Sequence, residues 1–373
     1  MIEQLFQIVT TYQLFGWVAF GVTVALTPVA ARVARATGVM DYPDTFLKPH
    51  ARPIPYLGGT AICLGWVVGV LVAAWAGRFG GGVVPILPFV LGGVAMSILG
   101  LLDDAHDISA KLRLLIGAIV IGGVLAWTQT GLDLIGPVFK LAGIGAPPAV
   151  VTAISLPISI FIVLGACNSM NLIDGLDGLA SGVTFIMSLG FFLLAAMLTT
   201  FQPDEPGHAV RLVLAIAMAG ATLGFLPHNF NPARIFMGDA GSVLLGYNCG
   251  MLILLFAEWG TYRWLLGALM IFALPIFDTV LAMYRRFRAG RPIFEGDRSH
   301  IYDQLVQRGM TVKQAVLVCY ALTAFFAFVG LLVIGIRLRY ALAVYIVVCA
   351  AAWFIVQATR MANPGQPKSA PGG

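Results

Sequence analysis

The sequence predicts an all-α polytopic membrane protein, and three observations lead there. Hydrophobic residues make up 59% of the chain and charged residues only 10%, whereas a soluble domain is about half apolar and about a quarter charged. The apolar residues gather into runs that approach or exceed the roughly 20 needed for a helix to cross a bilayer. The alternating segments of about ten residues that mark a membrane β-barrel are missing from the sequence, and a helix in lipid satisfies its own backbone.

About eleven spans are expected, near residues 12–34, 57–76, 83–102, 112–128, 148–167, 178–199, 209–227, 239–257, 263–284, 314–336 and 340–358. The first follows "MIEQLFQ", which lacks the basic start of a cleavable signal, so it is read as a retained span. Pro147, Pro148 and Pro157 crowd the fifth. Residues 1–358 form one integral membrane domain, and the Pro/Gly-rich end, 359–373, is expected to be a disordered tail. A short helix is expected near "HIYDQLVQRG" in the loop of about 285–313. Cys63, Cys167, Cys249, Cys319 and Cys349 are scattered through apolar runs without metal-binding spacing and read as small buried hydrophobes.

The net charge of +5 is a topology signal, not evidence for nucleic acid. Sixteen of the 22 basic residues fall in loops after odd-numbered spans or in the C-terminal tail. Basic loops stay cytoplasmic, so the N-terminus is expected outside and the C-terminus in the cytoplasm.

Five polar clusters share that cytoplasmic side. The first loop, "DYPDTFLKPHARPIPYLGG", offers Lys48, His50 and Arg52, which would also serve as an anchor to anionic headgroups. The second, "LLDDAHDISAKLRLL", sets Asp103 beside Asp104, followed by Asp107, Lys111 and Arg113. Adjacent carboxylates raise each other's pKa unless a cation offsets the field. Either a divalent metal with phosphate ligands does so, or Lys111 and Arg113 neutralise them at a solvated turn.

The third cluster, "NSMNLIDGLDGLASG", carries Asn168, Asn171, Asp174 and Asp177 with interspersed glycines. If the sixth span begins near Asp174, both aspartates lie on one face of its first turn, where free N–H groups favour negative charge. Capping explains one aspartate but not the whole set. The fourth, "HNFNPARIFMGDAGS", has Asn229, Asn231 and Asp239, with His228 read as a polar interface residue. Asp239 is either an N-cap or a ligand. The fifth, "MYRRFRAGRPIFEGDRSHIYDQ", contains Arg298 and His300, suited to phosphate contact and proton handling. Asp278, inside the ninth span, is expected to pair with a nearby arginine.

Chemistry confined to one interface argues against a secondary transporter, which would place ionisable groups near the midplane. It suits an enzyme joining a water-soluble anion to a lipid headgroup. Carboxylates facing anionic substrates call for magnesium between them.

With "DYPDTFLKPHARPIPYLGG", "DDAHDISAKL", "NSMNLIDGLDGLASG" and "NFNPARIFMGDAGS" in view, the chain resembles the polyprenyl-phosphate N-acetylhexosamine-1-phosphate transferases of glycosyl transferase family 4, from about Asp41 to Gly309. The resemblance implies a multi-pass protein of the bacterial inner membrane. It would transfer a sugar 1-phosphate, most simply N-acetylglucosamine 1-phosphate, from a UDP-sugar to polyprenyl phosphate, releasing UMP and initiating cell-envelope polysaccharide synthesis. It implies catalytic roles for Asp103, Asp104, Asp174, Asp177 and His300, and substrate contacts from Lys48, Lys111, Asn168, Asn229 and Arg298. It also implies magnesium, with manganese as a substitute, at Asp239 and Asn171. Asp103 or Asp104 would position or deprotonate the lipid phosphate, in one step or through a phospho-aspartate. One departure is the loop after Arg298, where His300 stands alone and Tyr302 and Asp303 replace family histidines. The alternatives are phospho-N-acetylmuramoyl-pentapeptide transfer, transport, and an inactive scaffold. Packing of an apolar helix face would support a homodimer.

Overall fold

The computed structural model describes residues 2–42, 53–106, 108–204, 207–258, 262–290, 299–359 and 361–362. Its helices are α1 (Ile2–Thr37), α2 (Gly58–Trp75), α3 (Leu87–His106), α4 (Ala110–Thr128), α5 (Gly136–Leu141), α6 (Pro148–Ile173), α7 (Leu179–Phe201), α8 (His208–Asn229), α9 (Gly238–Ala257), α10 (Tyr262–Ile271), α11 (Ala273–Arg288), α12 (Ile301–Gln307), α13 (Val312–Val333) and α14 (Leu338–Ala358). Ten described helices are long and apolar enough to cross a membrane, or eleven if the bent pair α10 and α11 is one span. The expected short helix in "HIYDQLVQRG" is α12.

Three spans differ from the sequence reading. α1 begins at Ile2 and has 36 residues. At 1.5 Å per residue it is about 54 Å long, well beyond a hydrocarbon core of about 30 Å. α6 continues past Cys167 to Ile173, so Asn168 and Asn171 are helical. Loss of hydrophobicity marks the edge of lipid, not the end of hydrogen bonding. The ninth predicted span is two helices bent by 71°. Pro275, in the first turn of α11, has no N–H for the carbonyl of Ile271, the last residue of α10. The fold is also not purely helical, because β1 (Met40–Asp41) and β2 (Ile54–Pro55) pair antiparallel. The predicted disordered tail lies outside the described residues beyond Ala362.

α9 is the axis of the bundle, buried continuously from Ala240 to Phe256. α3 and α6 flank it, and α2 covers its start. α1, α2 and α7 surround α8, while α13 packs on α7 and α10. α14 touches this body at α10 and buries only Ala341. Lipid is as apolar as leucine, so helices associate here by close fit, and small residues permit it. At Gly246 a Cβ would overlap the Cα of Cys167 on α6.

Gly246→Ala is therefore expected to destabilise the purified protein by about 1–3 kcal/mol, the usual range for overpacking. Thermal unfolding in detergent checks this, and an unchanged Tm would show that α6 and α9 separate without cost.

Candidate active site

α9 starts without a capping side chain of its own, since its N-cap is Met237. First-turn N–H groups have no intrahelical partner and carry partial positive charge. Asp104, from the end of α3, supplies what is missing. Its two carboxylate oxygens accept the N–H of Asp239 at 2.9 Å and of Ala240 at 3.2 Å. The helices come this close because residue 100 is glycine, where a Cβ would overlap the backbone of Asp239 and Ala240.

Held there, Asp239 faces two partners. Asn171 of α6 donates from Nδ2 to Oδ1 at 2.6 Å, and Arg113 of α4 donates from Nη1 to Oδ2 at 3.0 Å. Asn171 also reaches Ser242 Oγ at 3.2 Å, one turn along α9. The same Arg113 nitrogen makes an ion pair with Asp103, which is buried. Arg113 thus joins a pair of carboxylates from segments far apart in sequence.

Asp174 terminates α6 as its C-cap. Burial first, then the charges of Asp239, Asp104 and Asp177, pushes its carboxyl up to about 8. Asp177 serves differently. Its Oδ2 accepts Asn231 Nδ2 and the Ala233 N–H, each at 2.9 Å, and so holds the 231–233 loop. The expected first-turn pair is not formed. Asp174 and Asp177 lie in the connection before Leu179, because α6 runs on and α7 starts late.

Asn229 is buried with its amide fully engaged. Oδ1 accepts the Gly178 N–H and the Ser181 hydroxyl, both at 3.0 Å, and Nδ2 donates to the Ile235 carbonyl at 3.1 Å. It ties the third cluster to the fourth. The fourth is also tied to the first loop, where Phe236 donates to Pro55, and Gly58 and Gly59 donate to Phe236 and Met237. Tyr56, in that junction, was passed over in the sequence reading. Burial and the charges of Asp104, Asp239, Asp174 and Asp41 raise its phenol, so it stays a neutral donor beside the carboxylates. Its placement between Pro55 and the pair Gly58–Gly59 was the available signal.

Other predicted residues stand apart. Lys111 is exposed on the first turn of α4 and makes no ion pair among the described residues, whereas Arg113 turns inward. Asn168 is half-buried one turn before Asn171. Lys48, His50, Arg52, Asp107 and Arg298 lie outside the described residues. Asp278, expected beside an arginine, is held by the segment that starts α12. Its carboxylate binds His300 Nδ1 at 2.6 Å and the Ile301 N–H at 2.7 Å. The His300 ring stacks on Tyr302, whose hydroxyl donates to the Leu172 carbonyl at 2.8 Å, next to Asn171.

Asp103 and Asp239 thus share one guanidinium, with Asp104 and Asp174 beside Asp239, so that carboxylates outnumber cations here among the described residues. No three described carboxylate, imidazole or thiolate groups converge into a ready-made metal cage. A cavity of about 590 Å³, bordered by Phe89, Trp127, Asp133 and Glu258, lies at the opposite ends of α3, α4 and α9 and is separate from this site.

The glycosyl transferase family 4 model matches residues 86–257, from α3 through α9. A probable undecaprenyl-phosphate N-acetylglucosaminyl 1-phosphate transferase of Bacillus subtilis is 33% identical over 314 residues, covering 81% of this chain and 79% of its own length. The chain belongs to glycosyl transferase family 4. Two further family members agree with that. A decaprenyl-phosphate N-acetylglucosaminephosphotransferase of Mycobacterium tuberculosis is 32% identical, covering 84% of this chain and 80% of its own length. An undecaprenyl-phosphate alpha-N-acetylglucosaminyl 1-phosphate transferase of Escherichia coli is 30% identical, covering 81% and 78%. The family match takes in Asp103 through Asp239 but ends before Asp278 and His300.

The raised Asp174 carboxyl has a measurable consequence. Folding lifts its pKa from 3.8 to about 8, so between these values the folded state holds more protons than the unfolded one. Stability then falls as pH rises through that window. Asp174→Asn removes the ionisation and is expected to raise Tm at pH 8 in metal-free buffer, with the gain vanishing below about pH 4. A Tm difference independent of pH would show that Asp174 is already compensated.

Proposed function

We propose that this transferase moves N-acetylglucosamine 1-phosphate from a UDP-linked donor to polyprenyl phosphate, releasing UMP. The observation that carries the reading is the meeting of Asp104, Asp174 and Asp239 at one end of an apolar bundle, where Arg113 pairs with Asp239 and Asp103. The names of the relatives supply the sugar and the lipid class. We place this end in the cytoplasm, with the N-terminus outside and the C-terminus inside, because Arg113, Arg234, Arg285, Arg286 and Arg288 belong to it. The membrane is then the bacterial inner membrane. A homodimer would pack through exposed apolar helix faces such as that of α14.

An oxygen of the lipid phosphate attacks the phosphorus that bears the sugar. The bond from that phosphorus to the bridging oxygen breaks, and UMP leaves with the bridging oxygen. Such chemistry is mostly positioning and charge stabilisation. Asp104 orients Asp239 through the first turn of α9. Asp103 holds Arg113, whose guanidinium is a cation for phosphate oxygens among the described residues. A phosphate monoester already loses its second proton near pH 6, so a strong base is unnecessary. Both Asp103 and Asp104 are engaged in holding neighbours, and this reading gives them positioning work. Tyr56 offers its neutral hydroxyl beside the carboxylates, and His300 contacts the donor phosphates.

The donor set fits a hard divalent cation: carboxylate oxygens in excess, with Asp174 short of positive charge. Magnesium is commonly bound by one or two carboxylates together with substrate phosphates, so a three-ligand cage is not required. Asp239 and Asp174 would hold it, with the Asn171 amide beside them. When bound, it supplies charge neutralisation between two anionic substrates.

Incubation with a panel of UDP-sugars and undecaprenyl phosphate, followed by mass spectrometry, is expected to give a lipid diphosphate carrying N-acetylhexosamine. Absence of lipid product with every sugar would refute the reading. For the cation, magnesium is expected to raise the Tm of wild-type protein at pH 8 and to do so less in Asp239→Asn. UMP release by that variant should fall at every magnesium concentration, and wild-type behaviour in both measurements would remove the metal role.

A further inference from the structure

Asp278 is a buried carboxylate outside the cluster described above, only 1% exposed in the second turn of α11. An ionised carboxylate in such surroundings is costly unless it is paired and hydrogen-bonded. Its two oxygens are engaged on one short stretch, the His300 imidazole at 2.6 Å and the Ile301 N–H at 2.7 Å. Beside it, the Thr279 hydroxyl donates to Ser169 Oγ on α6 at 2.9 Å. From the other side, Tyr302 stacks nearly parallel on His300, centroids 5.4 Å apart, and bonds the Leu172 carbonyl. Two lines of contact therefore run from Asp278 to the last turn of α6, which presents Asn171 and ends at Asp174.

We propose that Asp278 is a positioning residue of the transfer reaction, which acts through His300 on the phosphates of the nucleotide-sugar donor. This rests on the transferase reading given above. A carboxylate on Nδ1 fixes that nitrogen as the proton carrier. Nε2, which has no partner among the described residues, is the ring atom left for the donor. When the ring is protonated, Nε2 donates to a phosphate oxygen, and Asp278 balances the imidazolium charge. The same carboxylate, through Ile301, fixes the direction in which α12 leaves the site. The kink at Pro275 serves this arrangement, because it turns the Asp278 end of α11 away from the axis of α10.

Asp278→Asn keeps the shape but removes the negative charge that balances the imidazolium, so Nε2 no longer meets the phosphate as a cationic donor. Loss of such an orienting partner typically costs about 10–100-fold. The expected result is a kcat lower by that factor and a higher KM for the UDP-sugar, with the KM for polyprenyl phosphate unchanged. A merely unstable enzyme would lose kcat alone. In a His300→Ala background, Asp278→Asn is expected to cost nothing further, because the group it acts through is gone. Equal costs in both backgrounds, or full activity of Asp278→Asn, would overturn the proposal. Size-exclusion profile and Tm monitor folding, and Asp278→Glu takes the same place in the cycle if the amide variant does not fold. Full activity of His300→Ala would overturn this proposal while leaving the transferase reading standing. Only failure of the wild-type enzyme to make lipid product would remove that reading itself.

Discussion

The carboxylate of Asp104 on the first turn of α9 is the contact from which the rest of the site is arranged. A helix that begins inside a bundle leaves N–H groups that water cannot reach, and they must find an acceptor. Here the acceptor comes from another helix, more than a hundred residues away. That contact sets the separation of α3 and α9 and fixes Asp239, which is why a side chain at residue 100 would be incompatible with it.

Once Asp239 is held, its neighbours follow from charge. Arg113 is drawn between Asp239 and Asp103, and Asn171 supplies the remaining donor. Among the described residues one guanidinium faces these carboxylates, and burial, together with their charges, raises the Asp174 carboxyl. Protein sites that handle two anions commonly keep such an imbalance, because cation and substrate supply the complement. The buried amide of Asn229 and the carboxylate of Asp177 stand outside this exchange. They bind the connecting segments to one another, so the reactive groups rest on a frame whose own polar atoms are already satisfied.

The second buried acid, Asp278, applies the same principle in the part of the chain beyond the family match. It settles its charge on a histidine and a helix start. His300 is thereby anchored, and Tyr302 stacks on it and reaches the carbonyl of Leu172.

From the sequence alone came the class of fold, the positions of the spans and the polar clusters, because a membrane imposes length and hydrophobicity directly on the chain. Asp103, Asp104, Asn171, Asp174 and Asp239 were legible as a group for the same reason, since so few charged residues occur elsewhere. Which of them touch was not legible. That Asp104 caps α9, that Arg113 and not Lys111 enters the cluster, that Tyr56 lies beside it and that Asp278 takes His300 all depend on helix ends meeting in space. The extension of α6 and the break at Phe272 were hidden too, since hydropathy reports contact with lipid while hydrogen bonding decides where a helix stops. Partners of buried charges are chosen by three-dimensional proximity in a low dielectric, and separation along the chain carries no information about that distance.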